Sequence, residues 1–225
     1  MPERILMIET STAQLSVALS VDGVIVYSRK STEKNTHASL CTVFIKEALD
    51  SAGIKADELT CVAVCGGPGS YTGLRVGTSS AKGICFGAKV KLVAIPTTDI
   101  IAAAAIGRTN ADFIIPMIDA RRMEVYSAVY SPEGKTITDT QAVIVDANSY
   151  SAYKGVKCFI GDGALKCKEV LGEDGNLFIE AFPEAEDMLP LAQEAIEEGR
   201  FEDVAYFEPF YLKDFVVTES KKKLF

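Results

Sequence analysis

The sequence predicts an α/β protein of two lobes, and three observations predict it. Short apolar strands alternate with amphipathic helices, the order of elements restarts near the middle of the chain, and each half ends its first strand on a carboxylate. Arg4 to Glu9 reads as a buried strand. Leu15 to Val21 and Val24 to Arg29 alternate in hydropathy around Asp22-Gly23, which is a hairpin signal. A helix capped by Thr36 or Asn35 runs to about Ala52, with apolar Leu40, Val43, Phe44 and Ala48. Cys61 to Cys65 is a second buried strand, followed by a Gly67-Pro68-Gly69 loop and a helix from about Thr72 to Phe86. Leu92 to Ile95 is a strand, and Thr97 or Thr98 opens the next helix.

The pattern then repeats. Phe113 to Ile118, Glu124 to Tyr130 and Ile137 to Val145 read as strands, with a short helix over Asn148 to Tyr153. Lys157 to Ile160 is a strand, and a helix covers Ala164 to Leu171. The acidic Ala185 to Glu198 stretch reads as a helix in or after the second half. Each half is therefore βββαβα, and no sequence repeat accompanies the duplication. The acids that end the first strands are followed by small or polar residues, Glu9-Thr10-Ser11-Thr12 and Asp119-Ala120-Arg121. Two such lobes describe the actin/hexokinase-like (ASKHA, ribonuclease H-like) architecture, whose two first hairpins face a cleft and grip phosphate and magnesium. The expected division is an N-terminal lobe over residues 1–102, a C-terminal lobe over 103–200, and a tail over 201–225 that returns to the first lobe.

Composition narrows the function. With 225 residues, 48% of them hydrophobic, the chain can bury a sizeable core. No apolar run approaches the ~20 residues of a membrane span, and Ile5 to Ile8 is too short for a signal core. A soluble cytoplasmic protein is expected, with no membrane contact. The six cysteines form no C-x-x-C pair and several sit in apolar runs, so they read as reduced, buried, small hydrophobes. Net charge is −8 but uneven: Glu169 to Asp203 holds twelve acids and one base, Arg200. The rest of the chain has 22 bases and 19 acids. The acidic stretch reads as a solvated helix face, and the whole does not suggest a stand-alone nucleic-acid binder.

The strongest local feature is Cys65-Gly-Gly-Pro-Gly-Ser-Tyr-Thr-Gly-Leu-Arg-Val-Gly77, between a strand and a helix. It reads either as a phosphate cradle or as a tight turn feeding a closely packed helix. The packing reading is favoured, because no Lys-Ser/Thr follows the glycines and Gly73, Gly77, Ala81 and Cys85 recur every four residues. Gly83 and Gly87 repeat that spacing. Interior glycines cost a helix about 1 kcal/mol each relative to alanine, and close approach of another backbone offsets that cost. The approaching helix is either Thr36 to Ala52 or one from another chain. His37 is the only histidine, so neither a histidine triad of metal ligands nor a nucleophile elbow is in view. Glu9 and Asp119 read equally as holders of a hydrated magnesium or as caps of their turns. Gly161-Asp162-Gly163 reads as an adenosine-receiving turn or a plain one, and Arg121 and Arg122 as partners of phosphate or of nearby acids. Lys221 to Lys223 reads as a solvated terminus.

Several segments together resemble the TsaB (YeaZ) family: Ile5 to Leu19, Thr36-His37-Ala38, Gly67 to Gly77, Asp119 to Tyr126, and Pro209 to Lys213. The resemblance covers nearly the whole chain. It implies a role in adding a threonylcarbamoyl group to N6 of the adenosine next to the tRNA anticodon. It also implies that a paralogous subunit, TsaD, carries the transfer chemistry and a histidine-held metal, and that a small ATPase, TsaE, joins the two. The chain would then be a non-catalytic dimerisation subunit, without cofactor, that pairs with TsaD or with itself and reaches tRNA indirectly. Its expected interface is His37, Leu40, Phe44, Gly73, Leu74, Val76, Gly77 and Ala81. Its nucleotide cleft, at Glu9, Thr10, Ser11, Asp119, Gly161 and Gly163, is expected to be degenerate, because the first hairpin loop lacks glycine and its branched side chains crowd a phosphate. The alternative is a stand-alone ATP-dependent phosphotransferase or ATPase of the same fold. A metalloprotease, which the family's old glycoprotease label suggests, fits a chain with one histidine poorly.

Overall fold

The computed structural model describes residues 2–33 and 35–213, and the Lys221 to Lys223 segment lies outside them. The first sheet is built from β1 (Arg4–Glu9), β2 (Leu15–Val21), β3 (Val24–Ser31), β4 (Cys61–Gly67) and β5 (Lys91–Pro96), in the order β3-β2-β1-β4-β5. β1, β2 and β3 are antiparallel, whereas β4 and β5 run parallel to β1. Every residue of β4 is buried, as its unbroken apolar and small sequence requires of a central parallel strand. The connections are α1 (His37–Ala52) between β3 and β4, and α2 (Tyr71–Ala88) between β4 and β5. α1 packs on β2 and on α2, and α2 packs on β4. Thr36 stands at the start of α1 without capping it: its hydroxyl donates to the Glu33 carbonyl at 2.7 Å instead. Ser70 does cap α2, accepting from the Gly73 N–H at 3.2 Å.

The second sheet repeats the order. β6 (Phe113–Asp119), β7 (Glu124–Tyr130), β8 (Thr136–Ile144), β9 (Lys157–Ile160) and β10 (Leu177–Ile179) lie as β8-β7-β6-β9-β10. Three antiparallel strands again meet two parallel ones, and α4 (Ala164–Leu171) connects β9 to β10. The short helix expected over Asn148 to Tyr153 is a run of turns, so the second sheet has no counterpart of α1. Asp146 explains the turns: its side chain accepts from the Asn148 N–H and the Ser149 hydroxyl, a local alternative to a helical turn. β10 has no signal in the sequence. Leu177-Phe178-Ile179 is too short to show a period between flanking polar residues.

The two lobes exchange helices. α3 (Thr97–Ala103) lies between the sheets: its Ile100 joins the core of the first, while it packs most on β6, where Ile101 and Ala102 join a core with Ile114, Ile118 and Tyr130. In return, the segment beginning at Ala185 leaves the second sheet. One tight turn, Ala185–Met188, and α5 (Leu189–Glu197) pack on the first, with Ala185, Met188, Ala192 and Ala195 in its core. The expectation that residues 103–200 form one lobe and that the return begins at 201 is corrected here. Apolar residues on one face of an acidic segment seal β1 and β5, while Glu186, Glu194, Glu197 and Glu198 stay in water and Asp187 is partly covered. The following stretch continues across the first lobe. Glu202 bridges to Leu92, and the Phe210 N–H donates to the Gly66 carbonyl at 2.8 Å.

Candidate functional site

A cleft of about 1050 Å³ separates the lobes. Its first-lobe wall carries Ser11, Thr12, His37 and residues 69–73, its second-lobe wall Ile118, Asp119, Arg121, Tyr126 and Asp162, and Tyr211 to Lys213 edge both. The amino end of α2 is brought there by the loop after β1. Ser70 N–H donates to the Ser11 carbonyl at 2.6 Å, and a Cβ on Gly69 would fall on that same carbonyl. A Cβ on Gly73 would fall on the carbonyl oxygen of Thr10, and one on Gly77 on the Thr10 hydroxyl. The glycines at 73 and 77 therefore serve close packing of α2 over the first loop of its own chain. Their partner is neither α1 nor another molecule. Among the residues expected at an interface, Phe44, Gly73, Leu74, Gly77 and Ala81 are buried inside the lobe, and His37, Leu40 and Val76 remain partly exposed. His37 opens α1 at the cleft, and its buried Nε2 has no hydrogen-bond partner among the described residues.

The two strand-end acids are not brought together. Glu9 is fully buried and does not line the cleft that Asp119 lines. Its Oε1 accepts from the Ser11 N–H at 2.8 Å, while Oε2 meets no partner among the described residues. Burial pushes its pKa up to about 7, against a weaker lowering by the Ser11, Cys65 and Thr10 groups around it. Thr10 beside it is equally buried, its N–H donating to Cys65 Sγ at 3.2 Å. Asp119, by contrast, is exposed to solvent, ion-paired to Lys166, and accepts from the Arg121 N–H at 2.8 Å. Among the described residues no group of three His, Cys, Asp or Glu side chains is placed to hold a metal. Gly161 and Gly163 sit under β6, where a side chain on Gly161 would strike the Met117 carbonyl, and they do not line the cleft. Asp162 between them does, accepting from the Asp119 N–H at 2.8 Å.

Three features of the cleft go beyond the sequence reading, which singles out Arg121, Arg122 and Pro209 to Lys213 but not their contacts or backbone. Lys166 neutralises Asp119; a lysine one turn into the helix after Gly161-Asp162-Gly163 was the available signal. Pro209 to Lys213 is a strap: Tyr211 lies against Tyr71 with ring centroids 5.0 Å apart, and Lys213 reaches Glu124 of the second lobe at 2.5 Å. The third is the turn between β6 and β7, closed by Ala120 N–H to Glu124 O and Glu124 N–H to Arg121 O. Arg121 and Arg122 there have φ of 69° and 51°, a left-handed conformation that costs a non-glycine residue about 1–2 kcal/mol.

Away from the cleft, α1 and α2 leave a second surface. A groove of about 370 Å³ runs between them, lined by Ile45, Leu49, Ile54 and Ile84. Val43 is 43% and Phe86 82% exposed on the two helices, and Gly83 and Gly87 have open space where a side chain would be.

The two five-stranded sheets, related in order and flanking a cleft, define an actin/hexokinase-like (ASKHA) protein. Two solved structures from Pseudomonas aeruginosa share it. One is described as a protein with similarity to the peptidase YeaZ, the other as YeaZ. They superpose with TM-scores of 0.84 and 0.83 at 26% and 25% identity, covering 94% and 93% of this chain and all of theirs. Residues 26–157 match the family described as TsaD, tRNA N6-adenosine threonylcarbamoyltransferase. The tRNA threonylcarbamoyladenosine biosynthesis protein TsaB of Escherichia coli is 30% identical over 94% of this chain and 95% of its own length. The chain belongs to the TsaB (YeaZ) family of tRNA threonylcarbamoyladenosine biosynthesis proteins.

Proposed function

We propose that this chain is the non-catalytic partner subunit of a cytoplasmic complex that forms threonylcarbamoyladenosine on tRNA, binding a TsaD-like catalytic chain and a TsaE-like ATPase. The observation that carries the reading is the burial of Glu9. The acid that ends β1 is sealed beneath the first loop, so it presents no charge to a ligand in the cleft. Branched Thr10 fills the space under α2, and Asp119 across the cleft is paired with Lys166. A chain that hydrolysed or transferred phosphate would need those carboxylates free to hold a hydrated cation.

The partner face in this reading is the exposed side of α1 and α2. Leu40, Val43, Val76 and Phe86 supply apolar area, and Gly83 and Gly87 let another backbone approach. A specific contact there buries at least about 1,000 Å², with a TsaD-like chain in the complex and with a second copy when the chain is alone. Reconstitution tests the proposal. A TsaD-like chain and a TsaE-like ATPase form threonylcarbamoyladenosine only when this chain is added, and this chain alone neither turns over ATP nor modifies tRNA. ATP turnover by the purified chain, abolished by Asp119→Ala, would instead establish the phosphotransferase alternative.

A further inference from the structure

The turn between β6 and β7 spends conformational energy on two arginines that the fold does not use. Arg121 and Arg122 are both exposed, both left-handed, and neither has an ion-pair partner among the described residues. Asparagine or glycine would hold this backbone at less cost, so the side chains are kept for a reason outside the turn. Strained residues of this kind collect where a ligand is held. The neighbouring charges sharpen the choice of ligand. Lys166 is committed to Asp119 and Lys213 to Glu124, which leaves Arg121 and Arg122 as the uncommitted cations of this rim among the described residues. Inside the cleft, Arg121 and Lys166 are balanced by Asp119 and Asp162, which leaves no excess positive charge for a small polyphosphate, and Arg122 is not part of the cleft wall. Two guanidinium groups on a hairpin tip suit a polyanion that approaches the mouth from outside, and guanidinium is the side chain best matched to phosphate oxygens.

We propose that Arg121 and Arg122 contact the phosphate backbone of the RNA substrate directly. This rests on the proposed role in tRNA modification, and it departs from the sequence expectation that tRNA is reached only through the partner subunits. The test compares the wild-type chain, the Arg121→Asn/Arg122→Asn variant and a Lys135→Asn/Lys154→Asn control, which removes the same charge from exposed positions elsewhere on the second lobe. Asparagine is suited to the left-handed region, so the variant's melting temperature stays equal or rises. Binding of unmodified tRNA is titrated at 50 and 200 mM salt, with the chain alone and with its complex. Loss of two phosphate contacts weakens binding about tenfold and makes the dependence of log Kd on log salt shallower by about 1 to 2. The control pair leaves both unchanged. Equal affinity and equal salt slope for the arginine variant and the wild type, in both preparations, would overturn the proposal, as would an equal loss in the control. Light scattering before tRNA is added reports assembly separately. A complex that fails to form counts against the partner-subunit reading, while the titration of the chain alone still decides the role of the arginines.

Discussion

Replacing Glu9 by glutamine should stabilise this protein at pH 8 and leave it nearly unchanged at pH 5. The side chain is wholly inside the first lobe, one oxygen held by the Ser11 N–H and the other without a partner among the described residues. Such a site holds a neutral acid far better than a carboxylate. Glutamate normally titrates near 4.5, and burial brings Glu9 to about 7. The folded chain therefore binds this proton more tightly than the unfolded chain. The stabilisation it provides is complete below pH 4.5, declines as pH rises towards 7, and is gone above it. With each pKa unit worth about 1.4 kcal/mol, the full change is about 3 kcal/mol. In a chain of this size that is a shift of roughly 6–12 °C in melting temperature. The amide of the glutamine variant keeps the shape and carries no proton to lose. Asp187, pushed up to about 6 chiefly by burial, adds a slope of its own below pH 6, but it does so in both proteins. The assay is calorimetric melting of the two proteins from pH 5 to pH 8.5, read as a difference. Parallel curves would refute the reasoning, because they would mean that Glu9 is ionised in the folded state throughout.

Three further outcomes follow from the same packing. Gly73→Ala places a methyl group on the Thr10 carbonyl oxygen, so the melting temperature should fall by the equivalent of about 1–3 kcal/mol; unfolding by urea measures it. Phe86→Asp, at a position 82% exposed, should leave the monomer's melting temperature within about 2 °C of wild type while abolishing pairing with a TsaD-like chain or a second copy, as light scattering reports. All six thiols are free and buried, and burial holds Cys61 near 12 and Cys85 and Cys158 near 11. A thiol reagent should therefore label none of them at pH 8 until denaturant is added, and then all six.

The fold was legible because its signals are local. Apolar runs of four to seven residues, the Asp22-Gly23 turn and the glycines of α2 each mark an element within a few positions of where it lies. Helix exchange between the lobes was not legible, since Ala185, Met188, Ala192 and Ala195 say only that one face is apolar and small, not which sheet receives it. The site divides in the same way. The glycine spacing announced a close approach, but the approaching group is the carbonyl of Thr10, some 60 residues upstream, and no periodicity in α2 names it. Glu9 read equally as ligand or cap because the sequence places a carboxylate at a strand end without saying whether water reaches it. Burial decides that, and burial depends on the loop that folds over it. Lys166 and Lys213 are ordinary lysines in sequence and become notable only when β6, β7 and the strap converge on one rim.

The comparison of the two lobes bears on where a partner can dock. Their sheets have the same order and the same mixture of parallel and antiparallel pairs. The second lobe is shorter in its last helix and strands, and it differs most between its third and fourth strands. The first sheet carries α1 between its third and fourth strands, and the second has only turns over residues 145–156. A sheet face without such a helix needs other cover, and in the second lobe Tyr150 and Tyr153 pack against Phe159 and Phe113. The first lobe has the helix, and apolar surface stays uncovered at Val43 on α1 and at Phe86 on the neighbouring α2. The groove between α1 and α2 and these exposed apolar side chains are the surface on which the partner-subunit proposal places the contact.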